Sequence, residues 1–170
     1  MESKPNYILR PLKSDDIDDL LAVANDYNIA RYMTGKYPYP YTREHGIAFL
    51  KEASTARKDN LFGIEVDAHL VGCMGIFPQD DIMCRNAELG YWIGEAYRGR
   101  GIVTAALQEL VQYGFEHFDI SRIFARPFSN NPASQRVLEK AGFVPEARIA
   151  GNILKFGEVL DELIYAVRKP

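Results

Sequence analysis

Apolar residues recur at three- and four-residue spacing in four stretches of the chain and run together or alternate in seven others, which predicts helices interleaved with short strands. Tyr7-Ile8-Leu9-Arg10 reads as a first strand. Ser14 is placed to cap a helix over Asp15–Asp26, with Ile17, Leu20, Leu21 and Ala24 on one face and Asp15 and Asp16 at the positive end of its dipole. A loop rich in Tyr and Pro covers Tyr32–Tyr41. Thr42 then caps a second helix to about Arg57, with Ile47, Phe49, Leu50 and Ala53 as its apolar set. Leu61–Val66 and Leu70–Phe77 are apolar runs split by Asp67-Ala68-His69, a hairpin signal. Beyond the turn Pro78-Gln79-Asp80-Asp81, the segment 87–93 is a strand, and a loop over Gly94–Arg100 leads into a strongly periodic helix at Ile102–Phe118. Arg122–Arg126 is a strand. Asn131 and Pro132 open a helix that Gly142 ends, and Phe143–Ile149 and Val159–Val167 are the last two strands.

The unit formed by strand 87–93, helix 102–118 and strand 122–126 is a crossover and demands one parallel pair. The expected fold is therefore α/β (α+β): a mostly antiparallel sheet of about seven strands with one parallel pair, flanked by about four helices.

Composition narrows the class. The chain has 170 residues, 47% hydrophobic and 25% charged, which suits one globular domain over 1–170 with a core that needs no disulfide or structural metal. Net charge is −3, from 20 basic and 23 acidic residues, so nucleic acid and anionic membrane are not expected partners. No apolar window is long enough to cross a bilayer, and the start, Met1-Glu2-Ser3-Lys4-Pro5-Asn6, does not read as a signal peptide. Cys73 and Cys84 form no disulfide framework or CxxC pair and read as buried small hydrophobes. His45, His69 and His117 are scattered, so no metal site is expected. The expected compartment is the reducing cytoplasm.

The strongest chemical signal is Tyr97-Arg98-Gly99-Arg100-Gly101-Ile102-Val103-Thr104. Two glycines and two arginines lie between a strand and the first turn of a helix, where free N–H groups and the dipole suit a phosphate. The run is neither a GxxxxGK[ST] loop nor a GxGxxG fingerprint. A surface turn with two solvated arginines would look the same. The second signal, Asn131-Pro132-Ala133-Ser134 with Glu139-Lys140-Ala141-Gly142-Phe143, is first of all a capped helix with a glycine stop.

Taken together, Ala87-Glu88-Leu89-Gly90-Tyr91-Trp92-Ile93, Arg98-Gly99-Arg100-Gly101-Ile102, Asn131-Pro132-Ala133-Ser134 and Lys140-Ala141-Gly142-Phe143 resemble the GNAT superfamily of N-acetyltransferases, and within it the RimJ/RimL branch of ribosomal-protein N-terminal acetyltransferases and their relatives. The resemblance runs from Ile8 to Arg168. It implies an acetyl-CoA site: the pyrophosphate on the backbone of Arg98, Gly99, Arg100, Gly101, Ile102, Val103 and Thr104, and the pantetheine arm along Trp92 and Ile93 where two parallel strands splay apart. It also implies that Asn131 hydrogen-bonds that arm and that Ser134 lies near the sulfur. Three positions depart from the family pattern. Val103 replaces a Gly or Ala, Ala105 replaces an acidic residue, and Leu138 stands where many members carry a Tyr that protonates the thiolate. The last change moves the candidate acid to Ser134 or to water.

Acyl transfer to an amine needs a proton acceptor, an oxyanion donor and an exit for the thiolate. Glu88, on the strand leading to the thioester, is the candidate base, with burial beside Tyr91 and Trp92 expected to tune it. An ordinary paired strand carboxylate is the competing reading. A backbone N–H near Ile93 is the oxyanion candidate. Asp161, Glu162 and Tyr165 are expected to border the acceptor, although simple packing serves Tyr165 as well, and Tyr37, Tyr39 and Tyr41 either wall the acceptor site or stiffen their loop. The expected acceptor is a protein or peptide α-amine. A small amine (polyamine, amino acid or aminoglycoside) and a catalytically silent acetyl-CoA sensor are the alternatives. A homodimer is left open.

Overall fold

The computed structural model describes residues 4–170, so part of the N-terminal run considered above, Met1-Glu2-Ser3, lies outside the described residues. Seven strands form one sheet in the order β1-β2-β3-β4-β5-β7-β6. They are β1 (Ile8–Pro11), β2 (Leu61–Val66), β3 (His69–Pro78), β4 (Asn86–Ile93), β5 (Arg122–Ala125), β6 (Val144–Lys155) and β7 (Glu158–Arg168). Among the described residues the α-helices are α1 (Ile17–Ala24), α2 (Tyr27–Ala30), α3 (Arg43–Ser54), α4 (Ile102–His117) and α5 (Pro132–Lys140). The β4–β5 pair is parallel, with Asn86, Ala87 and Glu88 opposite Arg122, Ile123 and Phe124. The pairs β1–β2, β2–β3, β5–β7 and β6–β7 are antiparallel.

The chain divides into two compact units whose boundaries fall inside β3, β4 and the first turn of α4. The first takes in the chain to Gly75 and Tyr91–Val103; the second is Ile76–Gly90 with Thr104–Pro170.

In the first unit, α1 and α3 pack at Gly46, where an added Cβ would lie 2.8 Å from Ile17 Cδ1. The chain entering α1 does not follow the simple cap expected. A 3₁₀ turn at Ser14–Asp16 precedes the helix, and Asp16 is buried, 4% exposed. Its carboxylate takes Arg10 Nη1 and Nη2 at 2.9 and 2.7 Å and the Lys13 N–H at 2.9 Å. Burial alone would raise the Asp16 carboxyl; the Arg10 and Lys13 hydrogen bonds outweigh it and hold it below the usual carboxylate range. Thr42 does cap α3, accepting the His45 N–H. Ile47, expected in that helix's apolar set, is 54% exposed, whereas Leu50 and Ala53 are buried. Cys73 is buried as expected; Cys84 is exposed, on the loop between β3 and β4.

In the second unit, α4 presses a glycine toward the sheet. A Cβ on Gly114 would come within 2.3 Å of Ile76 Cδ1 and 3.1 Å of Ile123 Cδ1. Ala87, Leu89, Ile123, Ala125, Leu163 and Tyr165 are buried, and the Tyr165 hydroxyl donates to Glu139 of α5 at 3.0 Å. The last hairpin is longer than its pattern suggests, because β6 and β7 extend through residues 150–155 and 158. Gly151 and Gly157 look like interruptions in the sequence. One sits at an irregularity in the ladder and the other in the tight Phe156-Gly157 turn, both at positive φ.

Candidate active site

The first unit carries Trp92, Ile93 and the loop Arg98–Val103. Strand β4 pairs with β5 only through Glu88, yet runs on to Ile93. Its other neighbour is close. At Gly72 of β3 an added Cβ would lie 2.5 Å from the Trp92 carbonyl oxygen and 2.9 Å from the Ile93 Cα, and the Gly94 N–H donates to Val71 O at 2.8 Å. The end of β4 is therefore pinned to β3 through backbone. Trp92 is 8% exposed and its ring packs edge-on against Tyr37, centroids 5.8 Å apart, so the indole is committed to packing.

A 3₁₀ turn, Glu95–Tyr97, leads into the arginine–glycine run. Gly99 and Gly101 both have φ of +73°, and an added Cβ at either would meet nothing within 4 Å. Both glycines are there for backbone conformation, not for packing. Left-handed residues alternating with ordinary ones turn successive N–H groups to one side, and α4 begins at Ile102. Arg98 and Arg100 are exposed. Arg98 Nη2 donates to Asn28 O at 3.3 Å, and the Arg100 guanidinium lies 5.2 Å from the Tyr97 ring centroid. Positive φ, exposed cations and a helix start together fit a phosphate group.

The second unit carries Glu88, Thr104, Asn131 and Ser134. Thr104 is in the first turn of α4. Asn131 caps α5, its Oδ1 accepting the Ser134 N–H at 3.3 Å. The cap uses the side-chain oxygen, and the Asn131 Nδ2 takes no part in it. In the same turn, the Asn130 Oδ1 is buried with no hydrogen-bond partner, an acceptor still lacking a donor. Leu138 is fully buried in α5, so that position serves the core here. Both Asn131 and Ser134 are half-buried.

Glu88 is not shielded beside Tyr91 and Trp92 as expected. Its side chain is 30% exposed and is held by Arg126, with Nε to Oε1 at 2.9 Å and Nη2 to Oε2 at 3.2 Å. The hydrogen bond to Glu88 raises the Arg126 guanidinium further above its ordinary value, against the opposing effect of burial. Asp161 accepts the Gly151 N–H at 2.9 Å and Arg148 Nε at 2.6 Å, and those bonds hold its carboxyl low. Asp161 thus ties the irregular part of the last hairpin together. Glu162 is buried and takes Asn152 Nδ2 at 3.0 Å. Tyr165 packs and is bonded to Glu139, as the simpler reading expected. Sequence reasoning missed Arg126. The signal was available: it follows β5 directly and lies two residues beyond Phe124, the parallel partner of Glu88. Among the described residues no group of three His, Cys, Asp or Glu side chains is placed to hold a metal ion, and no helix is long and apolar enough to cross a membrane.

Comparison with known proteins agrees with this architecture. The family described as acetyltransferase (GNAT) domain matches residues 6–144. YdaF of Bacillus subtilis (strain 168), a candidate ribosomal N-acetyltransferase, is 32% identical over 107 residues, 63% of this chain and 58% of that protein. The aligned region thus spans little more than half of that relative. Among solved structures, RimL, a ribosomal L7/L12 α-N-protein acetyltransferase in complex with coenzyme A, superposes with a TM-score of 0.81 at 18% identity, covering 98% of this chain and 95% of that one. Spermidine N-acetyltransferase from Vibrio cholerae, in complex with CoA and spermine, superposes with a TM-score of 0.79 at 20% identity, covering 95% of each chain. At these identities the two structures establish the shared fold.

Proposed function

Because the chain belongs to the GNAT family of acetyltransferases, we propose that it transfers the acetyl group of acetyl-CoA to an amine, and that the acceptor is a protein or peptide N-terminal α-amine. The observation that carries the reading is the arginine–glycine loop. Gly99 and Gly101, both at φ +73° with open space where a Cβ would stand, open α4 immediately after a strand that outruns its parallel partner. Acetyl-CoA, when bound, supplies the activated acetyl thioester.

The chain's own residues then have distinct tasks. Arg98, Arg100 and the backbone of Gly99, Gly101, Ile102, Val103 and Thr104 hold the phosphates. Trp92 and Ile93 offer backbone groups to the amide-bearing arm, and a backbone N–H near Ile93 faces the acetyl oxygen. Asn131 donates from Nδ2 to the same arm, and the unpartnered Asn130 Oδ1 is an acceptor of the kind an amide N–H satisfies. Glu88 takes the acceptor's proton, directly or through a water, because only the neutral amine attacks. Ser134 stands near the departing sulfur in place of the missing Tyr.

The α-amine acceptor is favoured by the relationship to a candidate ribosomal N-acetyltransferase. The polyamine alternative has the spermidine enzyme as its support, and that support is at the level of fold. We further propose that the protein works in the cytoplasm as one domain. Release of coenzyme A thiol should be followed with acetyl-CoA and two acceptor panels, short peptides with free α-amines and polyamines. Thiol release and N-terminal acetylation of peptides, seen by mass spectrometry, is the expected result. Turnover of polyamines alone would move the assignment to a small-amine enzyme. Tight coenzyme A binding without turnover of either panel would make the chain a binding module.

A further inference from the structure

We propose that Arg126 is a positioning residue for Glu88: its guanidinium fixes the place and plane of the carboxylate, and the buried Glu162 carboxylate lies beside the guanidinium's remaining nitrogen. The proposal rests on the reading of Glu88 as proton acceptor and adds to it the device that prepares that group.

Glu88 is the last residue at which β4 has a partner on β5. A strand carboxylate at such a branch point loses a neighbour and gains rotamer freedom. Arg126, the first residue past β5, supplies the constraint. Two near-parallel hydrogen bonds, 2.9 and 3.2 Å, join the planar guanidinium to both carboxylate oxygens, a fork that defines the plane of the acid as well as its place. The third nitrogen, Nη1, lies 4.0 Å from Glu162 Oε1. Glu162 is 7% exposed and is itself held by Asn152. The chain of contacts Glu88–Arg126–Glu162–Asn152 therefore runs from β4, past the end of β5, to β7 and β6, all within one compact unit. Its buried end is fixed and its Glu88 end, 30% exposed, is open to water.

The chemistry follows from orientation. A carboxylate held in one plane presents a fixed lone pair to the acceptor's nitrogen. One proton passes from the acceptor's ammonium to Glu88; the neutral nitrogen forms the new C–N bond as the C–S bond breaks; the nitrogen, then positively charged, gives up its second proton to the departing thiolate, directly or through water, leaving the neutral amide and the free thiol, and Glu88 returns its proton to water. The other charged groups around Glu88 do not replace Arg126. Arg122, two pairs back on β5, is committed to Glu146 and Asn86, Glu162 is anionic, and Met74–Pro78 of β3 contains no titratable side chain.

The test is turnover in Arg126→Gln, Arg126→Lys, Glu88→Gln and the double variant Glu88→Gln/Arg126→Gln, read as a split between kcat and KM with coenzyme A affinity measured alongside. Arg126→Gln should lower kcat roughly tenfold and leave coenzyme A affinity within about twofold. Arg126→Lys, a point charge without the fork, should recover only part of the rate. The double variant should be no slower than Glu88→Gln alone. Losses that multiply in the double variant, or a matching fall in coenzyme A affinity, would overturn the positioning role. If Glu88→Gln slows turnover while Arg126→Gln does not, only the role of Arg126 falls; if Glu88→Gln has no effect, the reading of Glu88 falls with it. Should Arg126→Gln fail to fold, Arg126→Lys carries the test, and a kcat equal to wild type would overturn the proposal.

Discussion

Gly101 concentrates the residue-scale argument, because its φ of +73° and the open space around it separate two reasons for having a glycine. Steric room is not one of them, since a Cβ there would touch nothing. The left-handed backbone is, and the phosphate proposed for this loop would add the need for an uncharged approach. Gly101→Asp adds one negative charge at the start of α4 and should lower coenzyme A affinity at least tenfold by calorimetry, or about 1.4 kcal/mol. Gly101→Asn is the control: asparagine accepts left-handed φ better than other side chains and carries no charge, so it should retain most of the affinity. Equal losses in both variants would assign the effect to backbone strain, and unchanged affinity in a folded Gly101→Asp would put the phosphates elsewhere. The glycine–arginine run was legible in the sequence because its chemistry is local. Arg126 was not, because its meaning depends on a register between two strands far apart in the chain.

At the scale of elements, periodicity located each of the seven strands and the longer helices, and it failed where local signals conflict. The α1 entry reads as a Ser14 cap until Arg10 of β1 claims Asp16, a side-chain pairing six residues apart that neither helix periodicity nor a cap signal reports. The last hairpin reads as two short strands because Gly151 and Gly157 look like breaks, although one sits at a ladder irregularity and the other in the turn. A third glycine shows how tightly elements are set where the site begins. The groups facing Gly72 are the backbone carbonyl of Trp92 and the Cα of Ile93, at 2.5 and 2.9 Å, and backbone cannot rotate aside as a side chain can. Gly72→Ala should therefore cost about 1–3 kcal/mol by urea unfolding, and it should weaken coenzyme A binding by shifting the stretch of β4 that outruns β5. An alanine accepted with unchanged stability would mean that β3 and β4 are less closely apposed than 2.5 Å implies.

At the scale of the whole molecule, the ionisable groups whose titration is altered by the fold predict the shape of its stability against pH. Asp16 sets the acid side. Its carboxyl is held below its ordinary value of about 3.8, so its contribution is complete above that value and is lost as pH falls through the lower folded one. On the alkaline side the large shifts are those of three groups in the first unit, and Tyr165 in the second, raised by burial and by its bond to Glu139, adds a smaller one of the same sign. Burial pushes the Cys73 thiol well above its ordinary 9.0 and Tyr37 well above 10.0, and it pushes Tyr41 up to about 12. These groups keep their protons in the folded chain when the unfolded chain has already lost them. Raised values reverse the sign relative to Asp16: the stability is complete below the unfolded pKa and falls as pH rises. Each such group costs about 1.4 kcal/mol per pH unit. The slope should thus be about 1.4 kcal/mol per unit just above pH 9, from Cys73, and steepen to roughly 4 kcal/mol per unit above pH 10, when Tyr37 and Tyr41 join. Between about pH 5 and 8.5 these groups should leave a plateau. Urea unfolding across that range checks the shape, and Tyr37→Phe with Tyr41→Phe checks the cause. The double variant loses the hydroxyl bond from Tyr37 to Ala24 O, 2.6 Å, and with it some stability at neutral pH, but its slope above pH 10 should fall by the share of two groups, about 2.7 kcal/mol per unit. A slope that stays near 4 kcal/mol per unit without the two hydroxyls would show that other groups open the fold in alkali.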